Sequence, residues 1–423
     1  MNQRRRQPFR RHHTIVLLAP FVLVLALSGC GPQQTTTAEL WTDRASVAAY
    51  AEMYNASQDR FKVEVELVEE PADALLERRR HPDIIVGDFL ANETAFEHFT
   101  SLDDLLSDDD ISEDEFYTGL FDLGRQDGET RLLPVSFDLP LAMFKRSQLN
   151  EDLDQLRLPM QRLREEGAAF NETNDDRYVR MGFSPRWNSE FLYLAAMSFG
   201  ANFREQGPRN PVWNQEPLEQ AVEYAGTWIE ESNGGREAED DFEEKYLYDP
   251  PYQLLLRDRI RFSYSTATQF YDMPEGSRNN VDFRWISRQG SIPVLEDITY
   301  IGIPREAQRS KAGRDFIRWF FDQETQTELI EALATKRIGD FGIAGGFSSL
   351  VATNEEKLPR AYERLLGRIP PPSLLEFPHQ VPKNWDAVKE AVVYPWLDRA
   401  TDGGATAEEL QRQLQEWLLQ RGD

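Results

Sequence analysis

Three aspartates follow segments whose residue patterns predict β-strands, and their carboxylates are the first candidates for ligand chemistry. Asp43 and Arg44 follow the first of these strands. Asp88 and Phe89 follow a later apolar one, and Asp138 follows an extended segment. Carboxylates accept hydrogen bonds from ligand hydroxyls, and aromatic faces cover the apolar CH side of a pyranose ring. Asp43 and Asp88 could instead cap the helices that follow them. Asp138 lies between apolar neighbours, where no cap is required.

Sequence motifs for covalent or metal-assisted catalysis are absent. Cys30 is the only cysteine, so catalytic thiols in the folded region and cysteine zinc sites are excluded. No Gly-x-Ser-x-Gly, His-Glu-x-x-His or Gly-x-x-x-x-Gly-Lys pattern occurs. The aspartates at 108–110 lack the glycine and glutamate that a calcium loop requires. Among 73 acidic residues some pair always falls at a glycosidase separation, so acidic pairs carry no specificity. We predict no enzyme activity, no cofactor and no metal.

The composition is that of a folded protein with a strongly acidic surface. The 423 residues are 40% hydrophobic and 11% aromatic, enough apolar surface to offset the chain entropy of two or three domains. The 47 basic and 73 acidic residues give a formal net charge of −26. Such a surface repels phosphate backbones, and no basic face is segregated in the sequence. Nucleic acid is therefore not expected as a partner.

The N-terminus has the pattern of an export signal. Arginines at 4–6 precede an apolar run at 14–27, which is shorter than the ~20 residues that span a bilayer. The run ends in Leu-Ser-Gly-Cys at Cys30, which resembles the lipobox of a bacterial lipoprotein. This resemblance implies a signal peptide at 1–29, lipidation of Cys30 and a lipid-anchored tether at 30–38. The expected location is the extracytoplasmic face of the cell membrane, periplasmic or at the cell surface.

Residue periodicity predicts an α/β fold. A short strand at 39–41 precedes a helix at 44–57, whose apolar positions recur every three or four residues. Alternating residues predict a strand at Phe61–Leu67, and the apolar run at 84–86 predicts another. This order predicts a parallel sheet with right-handed crossovers. Later in the chain, the pattern at 311–334 predicts one long amphipathic helix.

An ordered set of short motifs resembles one protein family over essentially the whole chain after the signal. In chain order the set comprises the lipobox, Leu40-Trp-Thr-Asp43, Pro82-Asp-Ile-Ile-Val-Gly87, Leu133-Pro-Val-Ser-Phe-Asp138, Lys311-Ala-Gly-Arg-Asp-Phe-Ile-Arg-Trp-Phe320, Asp322-Gln-Glu-Thr-Gln326 and Asn384-Trp-Asp-Ala-Val388. It is similar to the extracellular solute-binding lipoproteins of carbohydrate ABC importers, the class that includes maltose-binding protein.

The resemblance implies a two-lobed, type II periplasmic-binding-protein-like α/β fold, with lobes joined by three crossovers. Residues 39–141 with 298–334 would form the N-terminal lobe, and 142–297 with 335–423 the C-terminal lobe. The expected function is capture of a sugar or oligosaccharide between the lobes and its delivery to a membrane permease by lobe closure. The expected partners of a monomer are a small-molecule carbohydrate, the permease subunits and, through Cys30, the membrane.

The resemblance also implies ligand contacts in the second lobe and at the crossovers. The matching positions are Trp187, Asn188, Gln269, Tyr300 and Trp385. Asn188 could equally be only a helix cap, and Gln269 stands where the family often has a tryptophan. Six further tryptophans sit in helical or strand patterns and are predicted to be core residues, namely Trp213, Trp228, Trp285, Trp319, Trp396 and Trp417.

Two alternatives to a sugar-binding module stay open. The same fold could bind a polyamine, a metal or a peptide, and a polyamine would suit an acidic cleft. A surface enzyme that acts on polysaccharide through paired carboxylates is the second alternative. Saturable binding without turnover separates a binding module from that enzyme.

Overall fold

The computed structural model of the protein describes residues 35–107, 111–148, 154–207, 210–336 and 340–420. The predicted signal peptide, Cys30 and the aspartates at 108–110 lie outside these ranges. The strands, numbered in chain order, are β1 Thr36–Thr42, β2 Phe61–Leu67, β3 Ile84–Asp88, β4 Arg125–Gln126, β5 Glu129–Thr130, β6 Leu132–Phe137, β7 Pro140–Lys145, β8 Arg157–Pro159, β9 Glu172–Asn174, β10 Arg177–Arg180, β11 Arg204–Glu205, β12 Pro211–Val212, β13 Ser263–Thr266, β14 Val281–Ser287, β15 Ile292–Pro293, β16 Thr299–Gly302, β17 Phe347–Ser348 and β18 Leu375–Glu376.

The helices of the same ranges are also numbered in chain order. They are α1 Ala45–Ser57, α2 Pro71–Glu77, α3 Glu93–Phe96, α4 Asp103–Ser107, α5 Thr118–Leu123, α6 Met160–Phe170, α7 Ser189–Phe199, α8 Gln215–Asn233, α9 Arg236–Tyr246, α10 Pro251–Leu256, α11 Ala267–Asp272, α12 Glu275–Arg278, α13 Ser310–Phe321, α14 Gln323–Lys336, α15 Leu358–Ala361, α16 Trp385–Val388, α17 Tyr394–Ala400 and α18 Ala407–Gln420. A π-type turn, Lys389–Val393, joins α16 to α17.

The first sheet has six strands in the order β17-β6-β16-β3-β1-β2. β1 is parallel to both β2 and β3, as the strand–helix–strand pattern predicts. β16 runs antiparallel between β3 and β6, so the sheet is mixed. Every residue of β6 is buried, and its sequence is apolar except for Ser136.

The second sheet has four strands in the order β13-β7-β14-β8. Only Asp138 and Leu139 separate β6 in the first sheet from β7 in the second. The chain returns to the first sheet at β16 and again at β17, where Phe347 pairs with Phe137. β17 therefore belongs to the first sheet, although its sequence lies in the range 335–423 assigned to the other lobe. The division into lobes stays a prediction.

The long helix predicted at 311–334 is two helices. α13 ends at Phe321, and Asp322 adopts an extended backbone conformation before α14 begins. The Asp322 carboxylate accepts a hydrogen bond from the Thr325 amide at 2.8 Å, so this residue caps the second helix. The predicted amphipathic face holds in α13, whose Phe316 and Phe320 are buried.

The core divides into hydrophobic clusters that back the two sheets and the C-terminal helices. One cluster, which we call the aromatic cluster, joins Tyr193, Phe203, Trp385 and Trp396 from α7, the chain beyond it, α16 and α17. The six tryptophans predicted as core all pack in these clusters: Trp228, Trp285 and Trp396 are buried, and Trp213, Trp319 and Trp417 are partly buried. The aromatic cluster supports one side of the candidate site.

Candidate functional site

A cavity of about 400 Å³ is lined by the ends of strands of both sheets and by the helices α7, α16 and α17. We call one side, formed by Arg44, Ser136, Asp138 and Thr299, the strand-end wall. The opposite side, which we call the helical wall, is formed by Glu190, Tyr193, Glu296, Asp386, Lys389 and Tyr394.

Strand register brings the strand-end wall together. Thr299, the first residue of β16, pairs with Asp88 at the end of β3 and with Ser136 near the end of β6. Because β16 is antiparallel to both neighbours, its amino end lies beside their carboxyl ends. Residues at strand ends form the usual ligand crevice of α/β sheets.

Arg44 holds two carboxylates at this edge. Its guanidinium forms an ion pair with Asp88 and lies 3.6 Å from the Asp43 carboxylate. The Thr299 hydroxyl donates a hydrogen bond to Asp88 at 2.6 Å. Burial raises the pKa of Asp88, and Arg44 opposes that shift. The capping alternative for these aspartates is wrong, since α1 has no side-chain cap and Asn92 caps α3.

Asp138 is buried and accepts hydrogen bonds from backbone amides instead of from a cation. Its carboxylate accepts from Leu139 at 2.7 Å, from Ala267 at 3.1 Å and from Thr268 at 3.2 Å. It therefore caps α11, a helix that is distant in sequence. Burial raises the pKa of Asp138 to about 7, and the negative charge of Asp297 adds to the shift.

The helical wall carries one cation among several carboxylates. Lys389 lies 2.7 Å from Asp386 and 3.6 Å from Glu296. Glu296 also accepts a 2.9 Å hydrogen bond from the Trp385 indole and one from the Tyr193 hydroxyl. Burial raises the pKa of Glu296, and Lys389 opposes it. Burial disfavours the charge on Lys389, but Glu296 and Asp386 raise its pKa overall.

Aromatic side chains complete the cavity lining. Tyr193, Tyr264 and Tyr394 contribute from the helical wall and β13, while Phe137 and Phe377 contribute from β6 and the chain after β18. Rings of this kind supply flat apolar faces beside the hydrogen-bonding carboxylates. The arrangement suits a ligand with both polar and CH surfaces.

Six of the ten predicted contact residues border the cavity or an adjoining one. Arg44, Asp138 and Gln269 line the main cavity. The others, Asp43, Asp88 and Phe89, line an adjoining cavity of about 260 Å³ that shares Asp386 with the first. Gln269 also completes a capping box at the start of α11.

The other four predicted residues do not line these two cavities: Tyr300 and Trp385 are buried, and Trp187 and Asn188 are partly buried. Trp187 stacks on Phe242, with ring centroids 5.6 Å apart. Asn188 accepts a hydrogen bond from the Phe191 amide and is the cap of α7, as the alternative reading had it. Tyr300 is buried and donates to the Leu120 carbonyl. The fourth, Trp385, is fully buried in the aromatic cluster, behind the helical wall.

Sequence reasoning missed most of the helical wall. A helical stripe was the available signal: Glu190, Tyr193 and Met197 recur at three- and four-residue steps. Asp386, Lys389 and the residues after them have similar spacing, but the π-type turn Lys389–Val393 displaces Tyr394 from the regular helical period. The sequence does not indicate that either stripe faces a cavity, and the structure was required to show it.

Neither membrane spans nor metal clusters are found in the described ranges. No described helix is long and apolar enough to cross a bilayer. No described group of three or more His, Cys, Asp or Glu side chains is placed to hold a metal ion.

Solved structures share this architecture. The sugar-binding protein MalE from the phytopathogen Xanthomonas citri is 15% identical, with a TM-score of 0.67, and the match covers 92% of this chain and 98% of that one. An ABC substrate-binding protein from Listeria monocytogenes, in complex with cycloalternan, is 11% identical, with a TM-score of 0.63, covering 92% and 99%. The fold is that of a type II periplasmic binding protein.

A third structure with this periplasmic-binding-protein fold is a cyclic alpha-maltosyl-1,6-maltose binding protein from Arthrobacter globiformis. It is 14% identical, with a TM-score of 0.58, and the match covers 92% of this chain and all of that one. No protein-family model matches the chain, and no curated protein matches its sequence. The likeness therefore lies in three-dimensional structure, and it confirms the fold class predicted from the ordered motifs.

Proposed function

We propose that the protein is the extracytoplasmic solute-binding component of an ABC importer and captures a carbohydrate in the main cavity. The observation that carries the proposal is a type II binding-protein fold whose strand-end cavity is lined by carboxylates and aromatic rings. Proteins of similar fold bind mannotriose, cycloalternan and a cyclic maltosyl-maltose. Carboxylates and rings together match the hydroxyl and CH faces of sugars.

The contact residues follow from the lining of the two cavities. In the main cavity, ligand hydroxyls donate hydrogen bonds to Asp138, accept them from Arg44, and can do either with Gln269. Tyr264 and Tyr394 offer ring faces in the same cavity. In the adjoining cavity Asp43, Asp88 and Phe89 form a second contact region. The buried Tyr300 and Trp385 and the partly buried Trp187 support the fold, and Asn188 acts as a helix cap.

Saturable binding without turnover is the test of this function. The full-length protein is titrated with a panel of mono- and oligosaccharides while tryptophan and tyrosine fluorescence is recorded, and each sugar is recovered and analysed afterwards. We expect at least one sugar to bind saturably and to be recovered unchanged. Binding of spermidine or a peptide with no sugar binding, or hydrolysis of a bound oligosaccharide, would contradict the proposal.

Delivery to a permease requires a change of shape on binding. Crossovers near Leu141, Asp297 and Ala334 would let the two lobes rotate relative to each other, with β17 moving together with the first sheet to which it is hydrogen-bonded. A ligand that touches both walls binds the closed form better, and only this difference shifts the population. A bound sugar should then lower the radius of gyration in solution scattering without changing the circular dichroism spectrum. An unaltered scattering profile with a tightly bound sugar would refute the clamp.

Membrane attachment through Cys30 is the remaining part of the proposal. Cys30→Ser should move the protein from the membrane fraction to the soluble fraction with unchanged sugar binding, because one thioether-linked lipid site anchors the chain. Retention of this variant in the membrane fraction would count against lipidation and leave the cavity proposal intact.

A further inference from the structure

The main cavity is more acidic than the chain as a whole. Of the described residues that line it, seven are acidic and two are basic. The whole sequence has 73 acidic and 47 basic residues, so the excess is larger than composition alone provides. The adjoining cavity adds further carboxylates, while its Lys383 lies 2.8 Å from Asp73.

Both cations of the main cavity are already paired. Arg44 is held by Asp88 and Asp43, and Lys389 is held by Asp386 and Glu296. These pairs occupy the close contacts of both cations, and the charges of Lys389 and Arg44 reach Glu190 and Asp297 only over a longer distance.

Three carboxylates that line the cavity lack such an ion-pair partner. In the described part of the chain no basic nitrogen lies within 4.0 Å of Asp138, Glu190 or Asp297. Asp138 is 7% exposed and is stabilised only by dipoles of backbone amides and nearby hydroxyls. Burial without a counter-ion raises the pKa of Asp138 to about 7, so a bound cation would favour its ionised form.

Asp297 couples these groups to one another. Burial raises the pKa of Asp138, Glu190 and Asp88, and the negative charge of Asp297 adds to each shift. Lys389 opposes the shift at Glu190, and Arg44 opposes it at Asp88. Tyr264 and Tyr394 line the same space, and their rings attract a positive charge that lies over them. Carboxylates and phenol rings around one cavity form a site for a protonated amine that also has CH faces.

We infer that the ligand carries a protonated amine, so that the substrate class of the cavity is amino sugars, as monosaccharides or short oligomers. The inference rests on the proposed function and narrows it. The adjoining acidic cavity, which shares Asp386 with the first, provides room and charge for a further amino-sugar unit.

Matched pairs of sugars test the charge directly. The full-length protein is titrated with glucose and glucosamine, galactose and galactosamine, mannose and mannosamine, and with cellotriose against the β-1,4 trimer of glucosamine. We expect the amino member of at least one pair to bind at least about tenfold more tightly than the neutral member. This preference should fall with added salt, because ions screen the exposed part of the attraction. The N-acetylated trimer, which lacks the charge, should lose the preference.

Two variants assign the preference to the central carboxylates. Asp297→Asn and Glu190→Gln keep the shape of the side chain and should each reduce the ratio of amino-sugar to neutral-sugar affinity by about tenfold. Glu244→Gln, on the exposed acidic face of α9, removes the same charge elsewhere and should leave both affinities unchanged. Thermal unfolding of each variant, followed by circular dichroism, verifies that it is folded.

The outcomes separate this inference from the proposed function. If neutral sugars bind as tightly as their amino counterparts, or only neutral sugars bind, the inference is wrong and the sugar-binding function stands. If no sugar of the wider panel binds, the proposed function itself fails. If Glu244→Gln lowers the preference as much as Asp297→Asn, the effect comes from overall charge and the inference is also wrong.

Discussion

The two walls of the cavity hold their charges by different means. The strand-end wall places Asp138 on backbone amides of α11, and its position follows from the sheets. In the helical wall, Glu296 forms an ion pair with Lys389 and accepts hydrogen bonds from the side chains of Tyr193 and Trp385. The positions of Tyr193 and Trp385 in turn depend on the aromatic cluster. A change behind the helical wall should therefore lower the stability of the fold, whereas a change in the strand-end wall should alter its electrostatics.

The largest effect is expected behind the helical wall. Trp385→Ala removes a fully buried indole from the aromatic cluster and leaves Glu296 without one hydrogen-bond donor. We expect a loss of about 4 kcal/mol in the free energy of unfolding, measured by denaturant titration. Trp385→Phe keeps most of the volume and should lose clearly less. A stability loss below that of an exposed control such as Leu419→Ala would contradict the supporting role.

The next effect is expected at the cation of the same wall. Lys389→Met leaves Glu296 buried without its counter-charge and should cost about 3 kcal/mol of unfolding free energy. The double variant Lys389→Met with Glu296→Gln should recover part of that loss, because both charges are then absent. Equal loss in the single and double variants would show that the pair is not coupled.

The strand-end wall should respond to pH. Because the pKa of Asp138 is raised to about 7 in the fold, its contribution to stability is complete below its ordinary pKa and is lost as pH rises from there through the folded pKa of about 7. Between about pH 5 and pH 7 the wild type should lose roughly 2 kcal/mol that Asp138→Asn does not lose. The measurement is unfolding free energy at several pH values. Asp127→Asn, in an exposed turn, is the matched control. An identical pH trend in Asp138→Asn and the wild type would contradict this prediction.

The smallest effect is expected at Asn188, which caps α7, the helix that carries Glu190 and Tyr193 of the helical wall. Asn188→Ala should cost about 1 kcal/mol in unfolding free energy, and Asn188→Ser should restore most of it, because serine also caps helices. Sugar affinity should stay unchanged in both variants. Weaker sugar binding at unchanged stability would return Asn188 to the ligand contacts.

Sequence reasoning predicted two residues of the strand-end wall, Arg44 and Asp138, as ligand contacts, and it predicted none of the helical wall. Asp138 was found because a polar residue after an apolar strand is a local pattern, and strand ends converge in α/β sheets. Its role as the cap of α11 involves residues more than a hundred positions away, so no local pattern contains it. The resemblance marked Trp385 as a ligand contact, but its burial depends on Tyr193 and Phe203, which pack on it from distant segments.

The fold was predictable to a similar extent. The parallel strands β1, β2 and β3 followed from periodicity, because each alternates or clusters apolar residues over a short range. The break at Asp322 did not, because the apolar stripe of α13 continues into α14 and only one cap interrupts the helix.

The position of β16 in the first sheet also governs the order in which the protein can fold during its synthesis. β1, β2 and β3 are close in sequence and can pair early, whereas among the described strands β6 pairs with β16 and β17. A nascent chain that ends before Thr299 therefore carries β6, which is wholly buried in the fold, with neither edge covered. Such an edge attracts other strands, so any fragment that stops short of β16 is expected to aggregate, and a soluble N-terminal portion must bring Thr299–Gly302 with it.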